Sequence, residues 1–418
     1  MTKRIIAIAF IFVCTSVAWA ILGGTIFSRT YDSDSVSQNR VSSTWGAPQD
    51  QGPPTASFKT LVLKPQETIE NGKKTIVTVQ EEATTPLPLE SSAINVDLNL
   101  EHRQKGLLWY STYKVGFDGH YGFRNPSDKE QTVDFKLPFP TAQAIYDNLI
   151  FTVDGSPVPL KNENNAAIAS VKIAPGKTSE LAVGYASQGL NEWRYSFGSK
   201  DVTQVRDFTL RMRTNFKDID FPDNTVSPSE KQETPNGWDL KWSYRSLVSG
   251  YQIAMVMPEK LQPGPLAGKI SLFAPVSLFF FFFLMFIITT MRGIELHPMN
   301  YFFLAAAFFS FHLLLAYLVD HVSIHAAFAI SAAVSVFLVV SYLRLVVGIR
   351  FASREAALAQ FIYLIMFSYA FFLKGFTGLA ITTGSVLTLF VVMQVTGRIR
   401  WTDKFAIKPA AEVAAELS

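Results

Sequence analysis

The chain has 418 residues, of which 49% are hydrophobic and only 17% charged, with a formal net charge of +3 at pH 7. Soluble proteins carry roughly 25% charged residues, so charge is depleted here, and the small net charge gives no argument for nucleic acid as a partner. A single cysteine, Cys14, excludes any internal disulfide.

The depletion is local. Most of it lies after Leu266, whereas residues 28–265 have the composition of an ordinary water-soluble domain. Thr2-Lys3-Arg4 precedes an apolar run from Ile5 to Phe27. Ala18-Trp19-Ala20 resembles the small-x-small site of a cleaved signal peptide. The run, however, is about 23 residues long, enough to span a bilayer, which favours an uncleaved anchor. Val13 stands where a lipoprotein site at Cys14 would need a small residue.

Ser33 to Ser57 is rich in Ser, Gln, Gly and Pro and reads as an irregular linker. Strand signals then follow in series. Thr75-Ile76-Val77-Thr78-Val79 and Ile94-Asn95-Val96-Asp97-Leu98-Asn99-Leu100 alternate, Trp109 to Phe123 is aromatic and β-branched, and Thr132 to Leu137 closes at Pro138. Asp154-Gly155 predicts a hairpin turn, and Pro175-Gly176-Lys177 predicts another. Later strands are expected at 193–197, 208–213, 238–244 and 251–257. Short strands with frequent turns predict an antiparallel β-sandwich, either one or two small ones.

Five further spans are expected at 272–291, 300–319, 324–347, 356–373 and 378–396. With the N-terminus inside, the cytoplasmic segments hold Lys3, Arg4, Arg292, Arg344, Arg350, Arg354, Arg398, Arg400, Lys404 and Lys408, and the short outer loops hold only Lys374. That asymmetry predicts six transmembrane helices with both termini cytoplasmic. Trp401 and Tyr301 occupy interfacial positions. The expected organisation is an anchor at 1–27, a periplasmic β domain at 28–265, a five-helix bundle at 266–400 and a cytoplasmic tail at 401–418. The fold class is therefore mixed: an antiparallel β-sandwich-type exported domain plus an α-helical bundle.

Thr44-Trp45-Gly46-Ala47-Pro48-Gln49 followed by Gly52-Pro53 is similar to a stretch found at this place in CreD-type inner-membrane proteins. His297 to Phe302, Tyr317-Leu318-Val319-Asp320-His321, Gly384-Ser385 and the exit Gly397 to Trp401 also resemble that family. The likeness is carried by the two ends of the chain. Between Lys59 and Gln262 the family's usual pattern is not evident, which marks a divergent periplasmic domain. The resemblance implies a role in cell-envelope integrity and supplies no catalytic residue.

Asp320, His321 and His325 flank one outer loop and could bind a metal if that loop were helical; polar capping of helix ends is the plainer reading. His312 lies near the middle of the third span, where an ionisable group is a functional candidate by default. A His bonded to a neighbouring helix is common, and a proton relay would need acidic partners that no span offers at that depth. Trp109, Tyr110, Trp193, Tyr195, Trp238, Trp242 and Tyr244 could form a glycan-stacking platform, or fill the sandwich core. Asp97, Asp118, Asp134 and Asp154 are carboxylates without an identifiable pairing. Arg206, Arg211, Arg213 and Lys217 alternate with apolar residues and read as a solvated face or an anionic-ligand site. No nucleophile elbow, zinc-protease motif or phosphate loop occurs. The sequence thus names no catalytic, cofactor or metal residue. It predicts a non-enzymatic envelope protein that contacts the lipid bilayer and an envelope protein or glycan. The rival is a membrane enzyme or transporter acting on a lipid or glycan at the outer leaflet through His312, Asp320, His321 and His325.

Overall fold

A computed structural model describes residues 2–70, 73–105, 108–198 and 203–397. Trp401, the four basic residues from Arg398 to Lys408 and the expected tail lie outside the described residues. The chain divides into two compact units, one holding the transmembrane helices and the other holding Val36–Lys105 with Trp109–Lys260.

Among the described residues, six helices are long and apolar enough to cross a membrane. They are α1 (Thr2–Trp45), α2 (Pro263–Met291), α3 (Pro298–Leu318), α4 (Ile324–Val346), α5 (Ile349–Phe372) and α6 (Thr377–Thr396). Lipid offers no hydrogen bonds, so helices that satisfy their own backbone are the form these apolar runs must take. α1 is part of the packed bundle. Trp19 is fully buried against Phe309 and His312, Phe12 meets Phe279, and a side chain at Gly23 or Gly268 would press on the facing helix. α2 and α3 interlock through Phe281–Phe308 and Phe282–Tyr301. α5 starts earlier than the expected span and contains π-helical turns at Ala352–Ala356 and Phe361–Met366. The Ser277 hydroxyl of α2 donates to the Tyr363 carbonyl within the second of these turns.

α1 also corrects the expectation of a linker, because Ser33 to Thr44 is helical. No Gly or Pro occurs between Thr25 and Trp45, and extending a helix already nucleated costs little. Gly46 ends it. Its φ is +101°, its amide donates to the Ser42 carbonyl, and a Cβ there would lie 2.2 Å from the Gln188 carbonyl oxygen. The chain then enters a short strand.

The strands are β1 (Gln49–Gln51), β2 (Thr55–Glu70), β3 (Lys73–Pro86), β4 (Leu89–Lys105), β5 (Leu108–Arg124) and β6 (Gln131–Pro138). Next come β7 (Tyr146–Val153), β8 (Ser156–Pro157), β9 (Lys161–Glu163), β10 (Ala166–Ile173) and β11 (Thr178–Leu190). β12 (Glu192–Tyr195), β13 (Thr203–Thr214), β14 (Glu230–Glu233), β15 (Trp238–Ser249) and β16 (Ile253–Val256) complete the series. A five-stranded sheet runs β3-β2-β6-β10-β9, an eight-stranded sheet β14-β15-β13-β4-β5-β11-β7-β8, and a small sheet β1-β12-β16. Pairing is antiparallel except for β1 with β12 and β4 with β13. One continuous core joins all three sheets: Val133, Phe135 and Leu137 share a buried cluster with Val96, Leu98, Phe117, Leu210 and Trp242, and Phe135 meets Phe123 edge-on. The domain is therefore one sandwich.

Asp154 and Gly155, both at positive φ, form the expected two-residue turn between β7 and β8. Pro175-Gly176-Lys177 does not make a hairpin. β10 pairs with β6 and β9, whereas β11 pairs with β5 and β7, so this turn crosses from one sheet to the other. The buried Asn125 amide holds the corner, donating to the carbonyls of Lys129, Ile173 and Ala174.

Gly46→Ala is expected to lower the stability of the β unit by roughly 2 kcal/mol or more, since it combines a forbidden φ with a backbone clash. Gly176→Ala, at φ +69° but in open space, is expected to cost about 1 kcal/mol. Thermal unfolding of both variants in detergent checks the ranking.

Candidate functional site

The four polar residues singled out in the bundle are not gathered into one cluster. His312 is buried among aromatic rings, edge-on to Trp19 at 5.7 Å and to Phe311 at 4.9 Å. Its Nδ1 lies 3.0 Å from the Phe308 carbonyl. A carbonyl only accepts, so Nδ1 carries the proton. Nε2 and the Trp19 indole N–H have no hydrogen-bond partner among the described residues. Asp320 lies past the end of α3, eight residues from His312, or roughly 12 Å along a helix axis. It pairs with Arg29 of α1 at 3.4 Å, and Arg29 also donates to the Ala316 carbonyl. His321 is exposed, and the His325 ring lies 5.2 Å from Phe372. No group of three or more His, Cys, Asp or Glu side chains placed to hold a metal occurs among the described residues.

A different polar seam crosses the bundle. The Gln360 amide donates to Ser335 Oγ at 2.8 Å, and Ser335 donates to the Ala307 carbonyl at 2.6 Å, which ties α5 to α4 and α4 to α3. All of it is buried. Attention to ionisable groups alone passes over it; the available signal was an amide inside an apolar run.

In the β unit most of the aromatic residues are core. Trp193, Tyr195 and Trp242 are at most 1% exposed and Tyr110 is 6% exposed, so they form no open stacking platform. Strand alternation explains this, because they fall on the inward positions. Trp109 lies under the Lys260 ammonium at 4.1 Å, and Trp238 is tied by its indole N–H to the Lys217 carbonyl. Burial pushes the phenols of Tyr113, Tyr121 and Tyr185 well above their ordinary range, so they stay neutral, and Tyr113 and Tyr185 donate to the Glu192 carbonyl and to Gln51.

The stretch that carried the family resemblance is bound into this unit. Gln49 donates to Ser187 and to the Gln188 carbonyl, and Gln51 donates to the carbonyls of Gly52 and Pro138. Gln51 also accepts from the Tyr185 hydroxyl at 2.7 Å. The Arg103 guanidinium stacks over Trp45. These residues hold structure and do not form an open site.

What is open is the outer face of the eight-stranded sheet. Two adjoining concavities of about 460 and about 590 Å³ share Asn95 and Arg211. The larger is floored by Gly116 and Gly184 and rimmed by Asp97, Asp118, Asn148 and Arg213. Arg213 holds Asp97 at 2.7 Å, Arg211 grips Asp239 through two nitrogens, and Lys241 pairs with Glu230 at 3.1 Å. Asn95 lies 3.5 Å from Asp118. Strand pairing builds this array, since Arg211 stands beside Asn95 on β4 and Arg213 beside Asp97. Arg211 and Arg213 of the basic cluster are thus solvated but ion-paired, and Arg206 is exposed. Lys217 pairs elsewhere, with Glu233, and Asp134 and Asp154 also bond away from it.

The hydrogen bond from Arg211, reinforced by its charge and that of Arg213, holds the Asp239 carboxyl below its ordinary value of 3.8. Lowered in the folded state, Asp239 contributes stability that is complete above that value and is lost as pH falls through the folded one. Unfolding midpoints are therefore expected to drop as the pH passes below about 4. Asp239→Asn is expected to flatten that decline, measured by thermal denaturation from pH 3 to pH 7.

The model of the inner membrane protein CreD family matches residues 1–402. The match runs through the middle of the chain, so the likeness is not confined to the ends. No curated protein sequence matches. Among solved structures, a candidate nutrient binding protein from Legionella pneumophila is 12% identical, with 56% of this chain and 76% of that one covered at a TM-score of 0.34. An M1 zinc metallopeptidase from Deinococcus radiodurans is 12% identical, with 41% and 42% covered at a TM-score of 0.26. Neither likeness is close enough to transfer a fold or an activity. With six membrane-length helices beside a β-sandwich, and a family match over nearly its whole length, this chain belongs to the CreD family of multi-pass inner-membrane proteins.

Proposed function

We propose that the protein is a non-enzymatic component of the cell envelope whose β unit stands in the periplasm and binds an envelope protein or glycan. The observation that carries this reading is the ion-paired outer face of the eight-stranded sheet. Its arginines, carboxylates and Asn95 are preorganised hydrogen-bonding groups above a glycine floor, suited to a polar partner. The helices serve as anchor, and the uncleaved first span contributes Trp19 to the bundle core. The charge asymmetry of the loops supports cytoplasmic termini. The outer-leaflet enzyme reading finds less support, because His312 is enclosed by rings while Asp320 is occupied by Arg29 and His321 is exposed.

Deletion of the protein is expected to reduce the detergent tolerance of the envelope. Re-expression of the Arg211→Ala, Arg213→Ala chain should insert normally but fail to restore tolerance, and should lose the envelope partner that copurifies with the wild type. A deletion strain with unchanged tolerance, together with purifications that return no partner, would overturn the proposal.

A further inference from the structure

β2 and β3 leave the five-stranded sheet as a two-stranded ribbon. β6 pairs with β2 only from Thr55 to Phe58, whereas β2 and β3 remain paired from Ser57–Pro86 out to Glu70–Lys73. β3 is the terminal strand of that sheet, so among the described residues its outer edge has no strand beside it. On the ribbon, Leu61 and Leu63 are 67% and 62% exposed, and Val62 and Val79 are each 40% exposed. A lone two-stranded ribbon is marginal in water, and a long open edge is a template for another strand. Proline, a bulge and charged side chains are devices that keep an edge single, and of these β3 has only charges, gathered at its two ends. β3 has no proline before Pro86, and its pairing register does not shift.

The order of charges names the occupant. The strand reads Lys73-Lys74-Thr75-Ile76-Val77-Thr78-Val79-Gln80-Glu81-Glu82, positive at one end and negative at the other. We propose that the β3 edges of two copies of this chain pair antiparallel about a two-fold axis at Thr78, joining two ribbons into a four-stranded sheet. A two-fold axis normal to a sheet sets one residue opposite its own copy, and every other contact is made twice. Centred on Thr78, the register sets position 77 opposite 79 and position 74 opposite 82, with position 73 diagonal to 81. Lysine positions therefore meet glutamate positions, whereas in-register parallel pairing would set like charges together. Glu81 and Glu82 bond Lys64 and Lys59 of β2 at 2.8 and 3.0 Å. Each carboxylate keeps acceptor capacity for a second lysine.

The test uses the full-length chain in native membranes with Cys14→Ser. Thr78→Cys is expected to give a disulfide-linked dimer on mild oxidation, while Asn162→Cys, on the opposite edge strand β9, stays monomeric. Lys73→Glu with Lys74→Glu should abolish the link, as should Glu81→Lys with Glu82→Lys. Co-expression of those two variants, differently tagged, should restore a mixed dimer, which an unfolded ribbon could not do. Absence of the Thr78→Cys link, a link through Asn162→Cys instead, or a link indifferent to charge reversal would overturn the proposal. So would a monomer whose Leu61→Ser, Leu63→Ser variant loses vesicle binding, since the ribbon would then belong to lipid.

Discussion

Every backbone amide and carbonyl of a buried chain must find a partner, and the hydrocarbon of a bilayer supplies none. The structure of this protein follows from meeting that demand in two solvents. In the membrane the apolar runs close their hydrogen bonds within themselves as helices. Where α5 departs from the ordinary ladder in its π turns, a hydroxyl from α2 takes up one of the carbonyls. In water the strands close their bonds with one another, and among the described residues β3 ends its sheet with a long outer edge unpaired.

The passage from one regime to the other is handled by side chains. α1 continues well past its apolar run and stops at a glycine that alone tolerates both the backbone angle and the nearness of the Gln188 carbonyl. β1 is only three residues long, too short to hold by its own ladder, yet the buried side chains of Gln49 and Gln51 tie it to β11, and Gln51 ties it to the Pro138 carbonyl of β6 as well. The Trp-Gly-x-x-Gln pattern is accordingly a device for fixing the chain's entry into the sandwich. Its presence in a family resemblance reports on architecture and says little about ligand.

Polar groups divide in the same manner. Inside the bundle, Gln360, Ser335 and Ser277 link helices and restrict their packing, a use of polarity that needs no ionisable group. On the outer sheet face, arginines and carboxylates neutralise one another while remaining open to solvent, so a partner would meet groups already in place. The first arrangement serves cohesion and the second suits recognition, which is why the functional proposal rests on the face and not on the histidines.

The membrane spans, the sandwich and the family likeness were legible in the sequence because each rests on a local signal. These signals are the length of an apolar run, the alternation of a strand, and Gly or Asn-type residues at turns such as Asp154-Gly155. Helix extension through Ser33–Thr44 was legible in principle, since nothing there breaks a helix, but polar composition pointed to a linker. What the sequence could not decide was which distant segments meet. Pro175-Gly176-Lys177 is chemically a turn in either case, and only the sheets show that it joins two layers instead of two neighbours. Arg213 and Asp97 are 116 residues apart and form a site element only because β13 runs parallel to β4. His312, Asp320, His321 and His325 are close in sequence yet separate in environment, because rotation about a helix and exit from it send neighbouring side chains to different solvents. Local chemistry fixes the elements; the long-range pairing of strands and helices determines which of their side chains can act together.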